Sequence, residues 1–165
     1  MAEKDDSEVR VFSVETRFQK MARRPGGVPR DQAIEKAAAK IEEIKPGFDD
    51  WLITELKTLA DVIESAKTNT PVEGWVEVAN AQSRQVRDAG TTMGSELLTF
   101  IANSLCEILD AIEAGGECNM ESIACHIDAL YLARHKRFRN LTPDQVPELT
   151  SGLRRVAEVV STSPN

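Results

Sequence analysis

Two arginines placed one helical turn apart are well suited to bind an anion. They are Arg84 and Arg87, in the stretch QSRQVRDAGTTMGSEL (82–97). Residues three apart on a helix lie on one face, and a guanidinium group grips a carboxylate or phosphoryl group through two parallel hydrogen bonds. Arginine stays protonated and has no lone pair with which to attack an electrophile. The pair therefore predicts binding of an anionic partner, the alternative being two charges that only solvate an exposed helix face.

The two histidines, His126 and His135, carry the ring nitrogens that could act as nucleophiles at neutral pH. They are nine residues apart on one predicted helix, so they point to different faces and cannot share a metal ion. His126 lies beside Ile123 and Ile127 at the edge of an apolar stripe, which favours a core histidine over a phosphoacceptor. His135 lies in the basic turn ARHKRFR (133–139), which we expect to be a solvated helix C-terminus.

Common enzyme signatures are absent from the sequence. It contains no GxxxxGKS/T, no GxGxxG after a strand, no HExxH and no GxSxG. The three cysteines (Cys106, Cys118 and Cys125) form no CxxC pair, and two of them lie in apolar helical stretches where a free thiol packs as a small hydrophobic group. We therefore expect no enzyme, with no catalytic residue, no metal site and no cofactor.

Composition and charge limit the partners that the protein can have. A chain of 165 residues with 41% hydrophobic and 28% charged side chains is large enough for a domain with its own core. The formal net charge of −7 disfavours nucleic-acid binding, which depends on a basic surface. The start MAEKDDSEVR has no apolar signal segment, and no apolar run approaches the ~20 residues that span a bilayer. We expect a cytoplasmic protein with no nucleic-acid and no membrane partner.

The apolar residues that must position these side chains recur every three or four residues, which predicts an all-α fold. Pro46-Gly47 is expected to end the first helix, and Gly90 and Gly94 to bracket a short break between the third and the fourth. The predicted helices cover 31–44, 48–66, 74–88, 95–115, 119–139 and 141–160.

Helices of this length that are joined by short loops pack antiparallel with their neighbours. We predict that the four helices between residues 48 and 139 form an up-down-up-down antiparallel four-helix bundle, with additional N- and C-terminal helices. Residues 30–160 would then form a single domain. Residues 1–29 are predicted to be a largely irregular tail, in which VRVFSV (9–14) alternates like a strand that has no partner strand.

The stretch RQVRDAGTTMG (84–94), followed by SLCEIL (104–109), resembles a motif of the alphaproteobacterial histidine phosphotransfer (HPt) domains. In that family a helix carries His-x-x-Lys-Gly, and a glycine-containing break and an aromatic-Gly turn follow it. The resemblance covers residues 25–132 and includes three further segments: 25–52, 101–109 and 126–130.

The resemblance implies an HPt-like helical bundle that meets a response-regulator receiver domain or a histidine kinase. Anchored on Gly94, it places Arg84 at the position of the phosphoacceptor histidine, Arg87 at the lysine and Asp88 at the glycine. In the family an exposed imidazole takes a phosphoryl group from one receiver aspartate and returns it to another. Since Arg84 cannot carry out that step, the resemblance implies a degenerate member of the family whose residues Arg84, Arg87, Asp88 and Gly94 dock a partner.

Three hypotheses about function follow. In the first, the chain is a non-catalytic docking domain in a two-component phosphorelay or a chemotaxis-type pathway. In the second, it is an active phosphotransfer protein that uses His126 as the phosphoacceptor. In the third, it is a helical scaffold or oligomerisation module unrelated to phosphorelays. A homodimer is compatible with all three hypotheses.

Overall fold

All regular elements of the computed structural model are helices within the residues that it describes, which are 16–23, 26–68 and 72–162. The prediction of an all-α fold is confirmed for these residues. A 3-10 turn, Pro143–Gln145, precedes the last helix. The α-helices are α1 Arg17–Ala22, α2 Arg30–Ala66, α3 Trp75–Met93, α4 Glu96–Glu113, α5 Met120–Arg134 and α6 Pro147–Thr162.

The chain divides into two compact units at a boundary between Ala39 and Lys40, within α2. The described part of the predicted tail contains α1, which begins with a capping box. Thr16 Oγ1 accepts from the backbone N–H of Gln19, and Gln19 Oε1 accepts from that of Thr16. The strand-like segment 9–14 lies outside the described residues.

Helix α2 runs without a break through Pro46, so the predicted end of a helix at Pro46-Gly47 is wrong. A proline inside a helix loses one backbone hydrogen bond and crowds the carbonyl four residues earlier, but the turns after Pro46 are anchored in the core through Phe48 and Leu52. Lys45 Nζ lies 2.5 Å from Glu42 Oε1 across this turn. Beyond the proline, one face of α2 is buried at three- or four-residue spacing: Phe48, Leu52, Leu56, Leu59 and Ile63.

A tight turn at Gly94 joins α3 to α4. Gly94 has φ 73°, a left-handed conformation that favours glycine, and the N–H of Ser95 donates to the carbonyl of Gly90 at 2.8 Å. Gly90 was predicted to begin the break, but it is a buried residue inside α3. A Cβ at Gly90 would lie 2.9 Å from Thr99 Oγ1 on α4. This glycine therefore permits close packing of two helices.

Helix α4 is the centre of the core, because it packs against α3, α5 and α6. As the sequence predicted, its apolar stripe is buried, and it includes Leu97, Ile101, Leu105 and Ile108. Buried residues of α2, α3, α5 and α6 complete the same cluster. The burial of this stripe is the main force that holds the helices together.

Helix α5 is shorter than the predicted segment 119–139. The side chain of Asn119 caps its first turn by accepting from the N–H groups of Glu121 and Ser122, and the helix ends at Arg134. The basic residues after Arg134 form a non-helical turn. Ser95 Oγ donates to the carbonyl of Arg139 at 3.2 Å, so this turn lies beside the start of α4.

Candidate partner-docking site

Arg84 is fastened to α4 by an ion pair with Asp110. Its Nη2 donates to Asp110 Oδ1 at 2.6 Å, and its Nε donates to Asn80 Oδ1 at 3.2 Å. The buried Asn80 also donates through Nδ2 to Asp110 Oδ1 at 2.6 Å and to Glu113 Oε1 at 3.1 Å. Three residues of two helices thus hold the guanidinium group in one orientation, while 49% of the Arg84 side chain stays exposed.

Two donors lower the pKa of the Asp110 carboxyl below its ordinary value. The hydrogen bond from Asn80 is the larger cause, and the hydrogen bond and charge of Arg84 add to it against the opposing effect of desolvation. Asp110 is therefore an anion at neutral pH. It neutralises much of the charge that Arg84 would otherwise present to a partner.

Arg87 lies one turn further along α3 and has a local partner. Its Nε donates to Asp88 Oδ1 at 2.9 Å, and 30% of its side chain is exposed against 69% of that of Asp88. This hydrogen bond is the main cause that raises the pKa of Arg87 above its ordinary value. The aspartate at the expected glycine position therefore binds the neighbouring arginine.

Arg87 also borders a groove of about 700 Å³ between α3, α4 and α6. Glu107 of α4 and Arg154 of α6 line the same groove, and the Arg154 guanidinium lies 5.1 Å from the centre of the Phe100 ring. Charges of both signs line this concavity. It offers room beside Arg87 for polar side chains of a docked protein.

Gly94, the fourth predicted docking residue, lies apart from the two arginines. It caps α3 at its C-terminus and lines a cavity of about 230 Å³ together with Phe48 and Arg139. The structure thus brings Arg84, Arg87 and Asp88 together on α3 and places Gly94 at the end of that helix. The glycine has an architectural role at the turn.

Cys106 lies on α4 among the charges that surround the arginine pair. It is 2% exposed, as predicted for a structural thiol, and burial raises its pKa to about 11 against the opposing charges of Arg87 and Arg84. The thiol therefore stays protonated and unreactive at neutral pH. Cys125, which was expected to pack in the same way, is exposed on α5.

His126 is completely buried between α4 and α5. Its Nδ1 lies 2.7 Å from the carbonyl oxygen of Ser122, which can only accept, so Nδ1 carries the proton. Its Nε2 lies 2.9 Å from Ser104 Oγ and accepts from that hydroxyl. Burial lowers the pKa of the imidazole. With both nitrogens bonded inside the core, His126 has no nitrogen at the surface of the protein.

His135 is exposed in the basic turn after α5, as predicted for this helix end. Its backbone N–H donates to the carbonyl of Leu132, and it forms the C-cap of the helix. In the part of the chain that the structure describes, no three His, Cys, Asp or Glu residues form a group that could hold a metal ion. No described helix is both long enough and apolar enough to cross a membrane.

Sequence reasoning missed the residues that hold Arg84. Asn80 is four residues before Arg84, and this spacing on a helix signals a side-chain pair. Asp110 and Glu113 are on another helix, and only the register of α3 against α4 reveals them.

A scan of family models finds no match to the chain, and searches of curated proteins and of solved structures find none either.

Proposed function

We propose that the protein is a non-catalytic, HPt-like domain that docks the receiver domain of a response regulator through α3. The observation that carries this proposal is the half-exposed guanidinium group of Arg84, at the position where the resemblance expects a phosphoacceptor histidine. A receiver presents an acidic, magnesium-binding pocket around its phosphorylatable aspartate. The two guanidinium groups complement such a pocket once Asp110 and Asp88 release them.

The proposal includes an up-down-up-down four-helix bundle made of the C-terminal half of α2 with α3, α4 and α5. Two contacts at opposite ends of α3 and α4 support an antiparallel pair, Asn80 with Asp110 and Thr91 with Thr99. An ion pair between Asp49 and Arg139 joins the start of that half of α2 to the turn after α5. Adjacent helices would then alternate in direction.

Docking requires the arginines to exchange their internal partners for those of the receiver. Asp110 and Asp88 are both well exposed, with 49% and 69% of their side chains accessible, so these ion pairs stabilise the fold only weakly. A receiver carboxylate or aspartyl phosphate would replace them at little cost. In this way the domain would occupy a receiver and compete with a true phosphotransfer protein.

A titration with purified receiver domains would test the docking surface. Each receiver would be loaded with Mg²⁺ and beryllofluoride, and its affinity for the protein would be measured by calorimetry. We expect the double variant Arg84→Ala, Arg87→Ala to lose affinity by about tenfold or more, as for central charged residues of an interface. Arg155→Ala, which removes an exposed arginine from α6, serves as the matched control and should bind normally.

The absence of phosphotransfer has its own test. When the protein is incubated with a receiver that carries ³²P on its aspartate, we expect no acid-labile phosphate on the chain. Label that appears on the wild-type chain but not on a His126→Gln variant would instead support the hypothesis of an active phosphotransfer protein. Unchanged receiver affinity in the double arginine variant would refute docking through α3 and would favour the scaffold.

A further inference from the structure

An apolar groove of about 560 Å³ lies between α5 and α6, away from the arginines of α3. Its walls are mainly aliphatic, and Leu132 is 39% exposed at its edge. We call it the α5–α6 groove and define it by six residues: Cys125, Ala129, Leu132, Leu149, Gly152 and Val156. Aliphatic walls between two helices form the kind of concavity into which the apolar face of a third helix packs.

Gly152 lies in the wall of the groove and inside α6. A Cβ at this position would meet no atom within 4 Å, so packing inside the chain does not require a glycine there. A glycine inside a helix reduces stability relative to alanine. Because Gly152 has no side chain, the groove is deeper at this position, and the backbone of another helix can approach it closely.

The charges around the groove are separated by sign. The exposed carboxylates of Asp128 and Glu148 border the groove itself. Gly152 and Val156 also line an adjoining hollow, whose polar residues are Asn119, Ser122 and Arg155. A helix that follows the groove therefore meets negative charge along one part and a positive charge beyond it.

We propose that the α5–α6 groove binds an amphipathic α-helix of a partner protein, with aliphatic side chains on one face and lysine or arginine at one end. The aliphatic face packs against Leu132, Leu149 and Val156, and the helix backbone passes over Gly152. The basic end lies beside Asp128 and Glu148, which sets the direction of the bound helix. This site is separate from the receiver-docking face on α3.

A synthetic peptide is the probe for this proposal. A fluorescein-labelled helix of about 14 residues, or roughly 20 Å, would carry leucines at i, i+3, i+4 and i+7 and lysines at one end. Fluorescence anisotropy should show saturable binding to the full chain. A peptide of the same composition in scrambled order and one with glutamates in place of the lysines should both bind at least about tenfold more weakly.

Filling the groove provides the matched pair of variants. Gly152→Leu should reduce peptide affinity by about tenfold or more without lowering the melting temperature, because leucine favours the helix more than glycine does. Ser151→Leu places the same side chain at the preceding residue of α6, which is exposed and outside the groove. This variant should leave the peptide affinity unchanged.

Three results would overturn the proposal. The first is equal binding of the ordered and scrambled peptides, and the second is unchanged affinity of Gly152→Leu. The third is a dimer in sedimentation velocity that Gly152→Leu converts to a monomer, since the groove would then hold a second copy of this chain. Receiver affinity measured on Gly152→Leu should equal that of the wild type, so that failure here leaves the α3 proposal standing.

Discussion

Arg84 and Asp110 link α3 to α4 across the seam between the two helices, with Arg84 Nη2 2.6 Å from Asp110 Oδ1. Asn80 shares the same carboxylate oxygen at 2.6 Å, so one anion receives two donors. The network orients the guanidinium group that we propose for docking. The charge of Asp110 also makes a small contribution to the stability of the fold.

Asp110→Ala should destabilise the protein by about 1 kcal/mol at neutral pH, as expected for a half-exposed, hydrogen-bonded pair. The pKa of Asp110 is lower in the folded state than its ordinary value of 3.8. Its contribution is therefore complete above that value and is lost as the pH falls through the folded pKa. Urea unfolding at several pH values would show the two proteins converging in acid, and a difference that persists there would contradict this prediction. Asp61→Ala, at an exposed position of α2, is the control.

Gly90→Ala should destabilise the protein, by about 1–3 kcal/mol for an overpacked contact. The added methyl group would lie 2.9 Å from Thr99 Oγ1, so the Thr99 side chain must shift. That shift disturbs the hydrogen bond from Thr99 Oγ1 to the carbonyl of Ser95. Gly152→Ala is the matched control because its methyl group meets open space, and it should stabilise α6 by about 0.5–1 kcal/mol. Thermal unfolding would compare the two, and equal shifts in melting temperature would refute close packing at Gly90.

The sequence predicted the elements whose signal is repeated along the chain. The stripe from Leu97 to Ile108 has several residues at helical spacing, and α4 is buried along that stripe. Position beside such a stripe also identified His126 as a core residue. These inferences succeeded because each depends on local periodicity that tertiary packing reinforces.

Predictions that depended on a single residue failed where packing overrode a local rule. Pro46 does not end α2, because the turns beyond it are anchored in the core. Gly90 signals a break and a close helix contact equally well, and only the position of Thr99 distinguishes them. Asp110 is 26 residues from Arg84, so their ion pair depends on a register that periodicity does not define.

The buried histidine should make the protein less stable in mild acid. Burial lowers the folded pKa of His126 below its ordinary 6.5, so the unfolded chain binds more protons below that pH. Stability is thus complete above pH 6.5 and is lost as the pH falls towards the folded pKa. The double variant Ser104→Ala, His126→Leu removes both hydrogen-bonding partners and should flatten this dependence. Urea midpoints between about pH 7.5 and pH 5 would measure it, and equal slopes in the two proteins would show that another group titrates.

Ser104→Ala alone gives the matched contrast. It leaves Nε2 of His126 without a donor inside the core, because Ser104 Oγ at 2.9 Å is its hydrogen-bond partner. The cost at neutral pH should be about 1–3 kcal/mol, which is typical of an unsatisfied buried group. Thr58→Ala removes an exposed hydroxyl from α2 and should change the free energy of unfolding far less. An unchanged free energy of unfolding for Ser104→Ala would contradict this prediction, because it would mean that another donor replaces Ser104 at no cost.

Pro46→Ala should stabilise α2. Alanine restores the backbone donor to the carbonyl of Glu42 and removes the contact between the proline ring and that carbonyl, while the exposed site loses no buried surface. The free energy of unfolding should rise by about 1–3 kcal/mol, provided that this turn and the core beyond Phe48 unfold in one transition. Gly47→Ala, at the next exposed position, adds helix propensity alone and should gain less than about 1 kcal/mol. Thermal unfolding followed by circular dichroism would measure both, and a lower melting temperature for Pro46→Ala would contradict this prediction.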